Sequence, residues 1–266
     1  MNPELELAME LADAADVITM RHFLARDLVV ESKPDMTPVT DADRAVETLV
    51  AERLASARPK HALVGEEFGV QGSAGARIRW IVDPIDGTKN YIRGIPVFAT
   101  LLAVEVDGEM AVGVASAPAL GRRWYAARGE GAFADGTRIV VSQVADMASA
   151  RLSHSGLEGW EAAGRMAQFI DLAGAVGHTR GFGDFWHHML VAQGSLEMAL
   201  EPEVNLWDLA ALKVIVEEAG GRFTDLEGVS TAAGGNVLSS NGLLHDEVLA
   251  RIGPPPASDQ KADNSD

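Results

Sequence analysis

Asp83 and Asp86 stand three residues apart in the run Trp80-Ile81-Val82-Asp83-Pro84-Ile85-Asp86-Gly87-Thr88-Lys89-Asn90. Two carboxylates at that spacing repel each other unless a cation or a proton sits between them. Gly87 has no Cβ and lets the backbone approach a ligand closely, and the amides that follow can open a helix and hold an anion. Acid ligands for a metal and amides for a phosphate, on one turn, point to metal-assisted phosphate chemistry. Taken alone, the same residues also make an ordinary solvated turn, because Asp-Pro and Asp-Gly are common turn dipeptides.

Other acids occupy comparable places. Asp41 follows Thr37-Pro38-Val39-Thr40 at the head of a helical period, where it serves equally well as part of a helix cap. Glu66 and Glu67 follow the short apolar strand His61–Val64, at the kind of strand end where α/β architectures place ligand chemistry. Asp208 lies in Trp207-Asp208-Leu209-Ala210-Ala211 near a helix start. Asp184 opens the helix that holds Trp186, His187 and His188, and Glu201 ends a strand seven residues before Asp208. With oxygen ligands and no cysteine anywhere in the chain, Mg²⁺ is the expected metal rather than zinc.

The elements that must position these groups read as follows. An amphipathic helix covers 3–26, on Leu7, Leu11, Ala14, Ala15, Ile18 and Phe23, and a short strand follows at Leu28–Val30. A second helix runs from Ala42 to Leu54. The apolar run Ile78–Val82 is a buried strand that Pro84 ends, having no N–H to donate. Strands at 98–106, 111–117 and 124–127 continue an antiparallel meander, with a hairpin signal at Asp107-Gly108 and a last strand at 138–142. The second half alternates a strand at 150–153, a helix at 160–174, strands at 176–180 and 196–200, and helices from 181 and 205. Gly220-Gly221 stops the latter helix before a strand at 222–224, and a last helix reaches about 252. The loop 71–76 is Gly-rich and could gate a site. Two halves, 1–145 and 146–252, and a disordered tail, 253–266, are expected.

Composition narrows the function class. A chain of 266 residues, 47% hydrophobic with mean hydropathy +0.04, can bury a sizeable core. A net charge of −17 argues against nucleic acid or an anionic membrane as partner, since both call for a basic face. No apolar run approaches the ~18 residues of a membrane span. The start Met-Asn-Pro-Glu-Leu-Glu lacks the basic and apolar pattern of a signal peptide, so a cytoplasmic protein is expected.

Gly65-Glu66-Glu67, Trp80 to Thr88 and Trp207 to Ala211 together resemble the signature blocks of the inositol monophosphatase family, in order and across roughly residues 5–252. The resemblance implies an α+β fold, a five-layer α/β/α/β/α sandwich, usually dimeric. The activity it implies is lithium-sensitive, Mg²⁺-dependent hydrolysis of phosphate monoesters with two or three ions per site. Carried onto this chain, it implies that Glu66, Asp83 and the Ile85 carbonyl hold one ion, and that Asp83, Asp86 and Asp208 hold a second. Thr88, helped by Asp41 and Glu66, would orient the attacking water, while the Gly87 and Thr88 amides hold the phosphate. Glu67 is placed behind the ligands, and Lys33 is either a charge near the phosphate or a surface lysine.

Specificity must come from outside these blocks. Asp184 and Glu201, with Asp86 and Asp208, could receive an ammonium or imidazolium group, or accept hydrogen bonds from a polyol. Pro34–Glu47, Ser116–Trp124, Gly183-Asp184-Phe185 and Asn241–His245 resemble the bacterial members that dephosphorylate histidinol phosphate in histidine biosynthesis. Inositol-1-phosphate or a range of sugar phosphates are the alternative substrates, and a regulatory binding role is the alternative class. Asn90, Arg93 and Trp186 either border the pocket or simply pack.

Overall fold

The computed structural model describes residues 2–25, 28–33, 37–73 and 75–253. The expected disorder of the tail beyond Gly253 lies outside the described residues, as does Ala74 of the 71–76 loop.

Two helices open the chain. In α1 (Pro3–His22) Leu5, Ala8, Leu11, Ala12, Ala15 and Thr19 share one buried face, and the Asn2 side chain caps its start by accepting from Glu4 N at 2.9 Å. It ends four residues before the expected limit, where the Phe23 amide returns to Thr19 O and Leu24 turns to φ 63°. A strand pair, β1 (Val30–Ser32) and β2 (Pro38–Thr40), leads into α2 (Asp41–Ala57). Thr40 and Asp43 close the start of α2 with a capping box.

The first large sheet contains β3 (Ala62–Gly65), β4 (Gly69–Gln71), β5 (Ile78–Asp86), β6 (Ala99–Val106), β7 (Glu109–Ala117), β8 (Arg122–Ala127), β9 (Gly131–Ala134) and β10 (Thr137–Arg138). Their order is β10-β9-β8-β7-β6-β5-β3-β4, antiparallel except for the parallel pair β3–β5. Asp107 and Gly108 both have positive φ, 53° and 87°, the two-residue turn that suits the twist of the β6–β7 hairpin. Pro84 does not end β5. The ladder with β6 skips between Asp83 and Asp86, and Pro84 sits in that irregularity, where its missing N–H costs no ladder bond. The start of the supposed loop 71–76 belongs to the edge strand β4, and little of the expected strand at 138–142 forms beyond β10.

A five-stranded second sheet has the order β12-β11-β13-β15-β14, from β11 (Arg151–His154), β12 (His178–Arg180), β13 (Met198–Glu201), β14 (Arg222–Thr224) and β15 (Val237–Ser240). β15 was not anticipated from the sequence. Its helices are α4 (Leu157–Ala162), α5 (Met166–Ala175), α6 (Asp184–Ala192), α7 (Leu206–Glu218) and α8 (His245–Ile252), with α3 (Thr88–Tyr91) a single turn after β5. The expected helix 160–174 is two helices, because Gly164 at φ 66° breaks it.

Packing stacks these elements in five layers. Leu5, Leu11, Val46 and Val50 of α1 and α2 bury one face of the first sheet against Trp80, Val82, Leu102 and Val104. Its other face meets α6 and α7 through Ile81, Leu101, Ala115, Phe185, Leu209 and Leu212. The same two helices contact the second sheet, whose far face packs Leu152, Met198, Leu200 and Leu238 on Trp160, Phe169, Leu172 and Val248 of α4, α5 and α8. α7 reads apolar on almost every side because it lies between two sheets. This is the α/β/α/β/α sandwich expected.

Candidate active site

The C-terminal end of β5 delivers the central acids. Asp83 bends back to accept from Ile85 N at 3.0 Å, and Asp86 accepts from Phe185 N, at the start of α6, at 2.7 Å. Thr88 donates its hydroxyl to Ile85 O at 2.8 Å, and Thr100 donates to Pro84 O at 2.8 Å, so the turn is pinned from both sides. Gly87 takes φ 81°, and a Cβ there would stand 2.9 Å from Val97 O. Asp208, in the first turn of α7, accepts from Asn205 N at 2.7 Å. One carboxylate oxygen from each of Asp83, Asp86 and Asp208 lies within 4.8 Å of the others.

These three acids strain against one another. Burial first, then Glu66, Asp86 and Asp208, pushes Asp83 well above the usual carboxylate range; burial, Asp184 and Asp208 do the same to Asp86. Asp208 is pushed up to about 7 by burial and by Glu66 and Glu201. An all-oxygen donor set, buried and mutually repelling, fits a hard divalent cation, which supplies the charge that the set lacks.

Glu66 lies at the rim of this set. Lys33 Nζ reaches its Oε1 at 2.6 Å and Glu67 Oε1 at 2.7 Å. Burial opposes the Lys33 charge, but the two glutamates outweigh it and push its pKa up. Lys33 is therefore ion-paired to both glutamates rather than a free surface lysine. The Gly65-Glu66-Glu67 turn is held by Glu47 on α2, which accepts from Glu67 N at 2.8 Å and Phe68 N at 2.9 Å. A Cβ on Gly65 would overlap the Glu47 carboxylate, which would have to leave the Glu67 and Phe68 amides to admit it.

Around these groups opens a cleft of about 600 Å³. Glu66, Asp83, Ile85, Asp86, Gly87, Thr88, Asp184, Glu201 and Asp208 all line it. Asp41 does not. Its carboxylate is 41% exposed and faces His22 Nδ1 on α1 at 3.6 Å. Residues two apart on a helix point about 200° from each other, so Asp41 and Asp43 cannot share a direction. Asp43 is the buried one, 1% exposed; its Oδ2 accepts the Thr40 amide and hydroxyl and its Oδ1 has no partner. Burial, with lesser repulsion from Glu67 and Glu66, pushes it up to about 7. The sequence offered Thr40 or Asp41 as the cap; the structure pairs Thr40 with Asp43 instead.

The far wall of the cleft belongs to the second half. Asp184 has φ 50°, a left-handed conformation unusual for a side-chain-bearing residue, and its Oδ2 accepts from Asn90 Nδ2 at 2.8 Å. Burial and then Glu201 push Asp184 up to about 6. Trp186 packs on Phe182 with ring centroids 5.0 Å apart, and Arg93 is exposed and does not line the cleft. Ser155 and Glu158 after β11 and Glu203 after β13 complete the wall. No motif marks them; they arrive because β11 and β13 run parallel and deliver their following loops to one end.

The chain matches the inositol monophosphatase family over residues 1–253. It is 54% identical over 254 residues to a histidinol-phosphatase of Mycobacterium tuberculosis, covering 94% of this chain and 97% of that protein. A histidinol-phosphatase of Streptomyces coelicolor is 52% identical over 258 residues, covering 94% and 96%. Among solved structures, the Thermotoga maritima IMPase superposes with TM-score 0.84 at 31% identity over 94% of this chain and 96% of that one. The extragenic suppressor protein SuhB of Bartonella henselae superposes with TM-score 0.86 at 28% identity, covering 93% and 97%.

Proposed function

Because the chain belongs to the inositol monophosphatase family, we propose that it is a Mg²⁺-dependent histidinol-phosphatase, releasing L-histidinol and phosphate from L-histidinol phosphate in histidine biosynthesis. The observation that carries the substrate assignment is the division of acids in the cleft. Asp83, Asp86 and Asp208 are close enough to share cations, which leaves Asp184, beside Asp86, and Glu201 to take a cationic amino alcohol. Histidinol-phosphatases at 54%, 52% and 40% identity support the same reading.

Asp83, Asp86 and Asp208 would hold Mg²⁺, with Glu66 and the Ile85 carbonyl completing its surroundings in a set of two or three ions. When bound, Mg²⁺ supplies a Lewis acid that polarises phosphoryl oxygen and makes water acidic. The chain does the rest. Gly87 and Thr88 offer backbone amides to the phosphate at the first turn of α3. The Thr88 hydroxyl, fixed by Ile85 O, orients the attacking water. The proton role that the resemblance implied for Asp41 is proposed for Asp43, which does not itself line the cleft but is raised to about 7 by burial and by Glu67 and Glu66. Asp184 and Glu201 bind the ammonium and imidazole end. Inhibition by Li⁺, a homodimer and a cytoplasmic location belong to the same proposal, and no helix among the described residues is long and apolar enough to cross a membrane.

Phosphate release from histidinol phosphate and inositol-1-phosphate, side by side with Mg²⁺, tests it. A higher kcat/KM for histidinol phosphate, reduced in Asp184→Ala and Glu201→Ala, is expected. Preference for inositol-1-phosphate would overturn the substrate assignment and leave the metal chemistry standing.

A further inference from the structure

His187 and His188 are adjacent on α6, both fully buried, and lie apart from the carboxylates that face the phosphate. Successive helical residues point about 100° apart, yet these two rings converge. Their Nε2 atoms are 3.0 Å apart and stand 2.9 and 3.1 Å from Oε1 of Glu201. On the far side of each ring a serine hydroxyl meets Nδ1: Ser153 on His187 at 3.2 Å, and Ser239 on His188 at 2.7 Å.

With an ionised Glu201, that triangle cannot be three hydrogen bonds. If both Nε2 atoms carry protons and donate to Oε1, two N–H groups are pressed together along the third edge. If one imidazole instead accepts from the other, its lone pair faces the carboxylate oxygen. With Glu201 ionised, every assignment leaves one edge repulsive. Three lone pairs directed at one cation satisfy all three edges at once, with each Nδ1–H donating to its serine, the arrangement that fixes the ring orientation of metal-binding histidines.

We infer that His187, His188 and Glu201 form a binding site for a divalent transition ion of the zinc class, distinct from the all-oxygen Mg²⁺ set. Two imidazole nitrogens and one carboxylate oxygen are the donors such an ion prefers, with a further position open to water. Bonds of about 2.0–2.1 Å in a tetrahedron space the ligands roughly 3.3–3.4 Å apart, so the edges need to open by only about 0.2–0.5 Å. Glu201 also lines the cleft, which gives an ion its way in.

The test titrates Co²⁺, a spectroscopic substitute for zinc, into the full chain saturated with Mg²⁺. Intense visible absorption of a four- or five-coordinate ion is expected, with two strongly shifted exchangeable imidazole N–H signals in the proton spectrum. His187→Gln and His188→Gln should abolish both signatures, Ser239→Ala should weaken Co²⁺ binding about tenfold, and Asp83→Asn should keep them. Only the weak absorption of a six-coordinate, oxygen-bound ion, or bands that survive both histidine substitutions, would overturn the site. Should the histidine variants fail to fold, the two shifted imidazole signals of the unaltered protein decide the matter alone: present they uphold it, absent they overturn it.

Discussion

The backbone amide of Phe185 donates to Asp86 Oδ2 at 2.7 Å, across 99 residues of chain. This bond fastens the start of α6, which carries Asp184, to the acid turn that ends β5. The cleft wall proposed to grip the amino alcohol and the carboxylates proposed to grip the metal are thereby one mechanical unit, although they come from different halves of the molecule.

Asp86→Asn keeps an acceptor for Phe185 and removes one of the crowded charges. Without divalent ions, relief of the repulsion from Asp184 and Asp208 should raise the melting temperature by about 2–4 °C, the shift for roughly 1 kcal/mol in a chain of this size. Activity with Mg²⁺ should fall by on the order of 10³-fold, because several kcal/mol of charge stabilisation are lost with the ion. Calorimetry with a chelator and steady-state kinetics check the two halves; a lower melting temperature would mean that the Asp86 charge does not strain the site.

The same repulsion sets a pH dependence for the metal-free protein. Asp43 and Asp208 are raised to about 7, against 3.8 for an ordinary aspartate. A raised carboxylate contributes stability that is complete below its unfolded pKa and lost as pH climbs through the folded one. His188 and His245, depressed to about 4, act oppositely, but only below their unfolded value of 6.5. Between about pH 6.5 and 8 the carboxylates act without them. Metal-free melting temperature should fall across that window, and saturating Mg²⁺ should flatten or reverse the slope. A slope that is the same with and without Mg²⁺ would count against the ion sitting among these acids.

Asp41 and Asp43 separate in one experiment. Asp41→Ala removes a half-exposed carboxylate facing His22 and should change kcat/KM less than about threefold. Asp43→Asn keeps the Thr40 cap acceptor but removes the titrating group, and should lower kcat by ~10²-fold or more, in the range of lost acid–base catalysis. Comparable losses in both would return Asp41 to the site.

Gly87 tests the turn itself. Alanine there must hold φ 81° and place a Cβ 2.9 Å from Val97 O, so Gly87→Ala should cost about 1–2 kcal/mol of stability and pull the phosphate-facing amides out of line. A denaturant midpoint and a KM for the phosphate ester measure both effects. Unchanged values in each would show that the turn has another way to accommodate the methyl group.

What the sequence made legible and what it hid differ in physical kind. Asp83, Asp86, Glu66 and Asp208 could be found because each sits within a local pattern of strand end or helix start. The Asp107-Gly108 hairpin was equally local. Pro84 misled because a proline normally ends a ladder, and only the β6 register shows that it sits where no ladder bond is needed. Asp43 and Asp41 both suit the first turn of α2, and the choice between them depends on what α2 faces. Glu158 and Glu203 carry no local signal, since parallel strands bring them to the cleft. The convergence of His187 and His188 on Glu201 was invisible for the same reason; on one helix they read as neighbours facing apart.

Asp184 joins backbone strain to the proposed recognition. A non-glycine residue at φ 50° costs on the order of 1 kcal/mol, and it persists here because Asn90 holds its carboxylate and Phe185 anchors the next amide. Asp184→Gly removes the strain and a buried acid whose charge is opposed by Glu201. The variant should therefore unfold at higher denaturant, by about 0.5–1 kcal/mol, while its KM for histidinol phosphate rises roughly tenfold as the ammonium partner is lost. Asp184→Asn, which keeps the strain but not the charge, should show the KM rise without that gain in stability. A KM unchanged in both would remove Asp184 from substrate recognition and leave Glu201 as the acid that selects the amino alcohol.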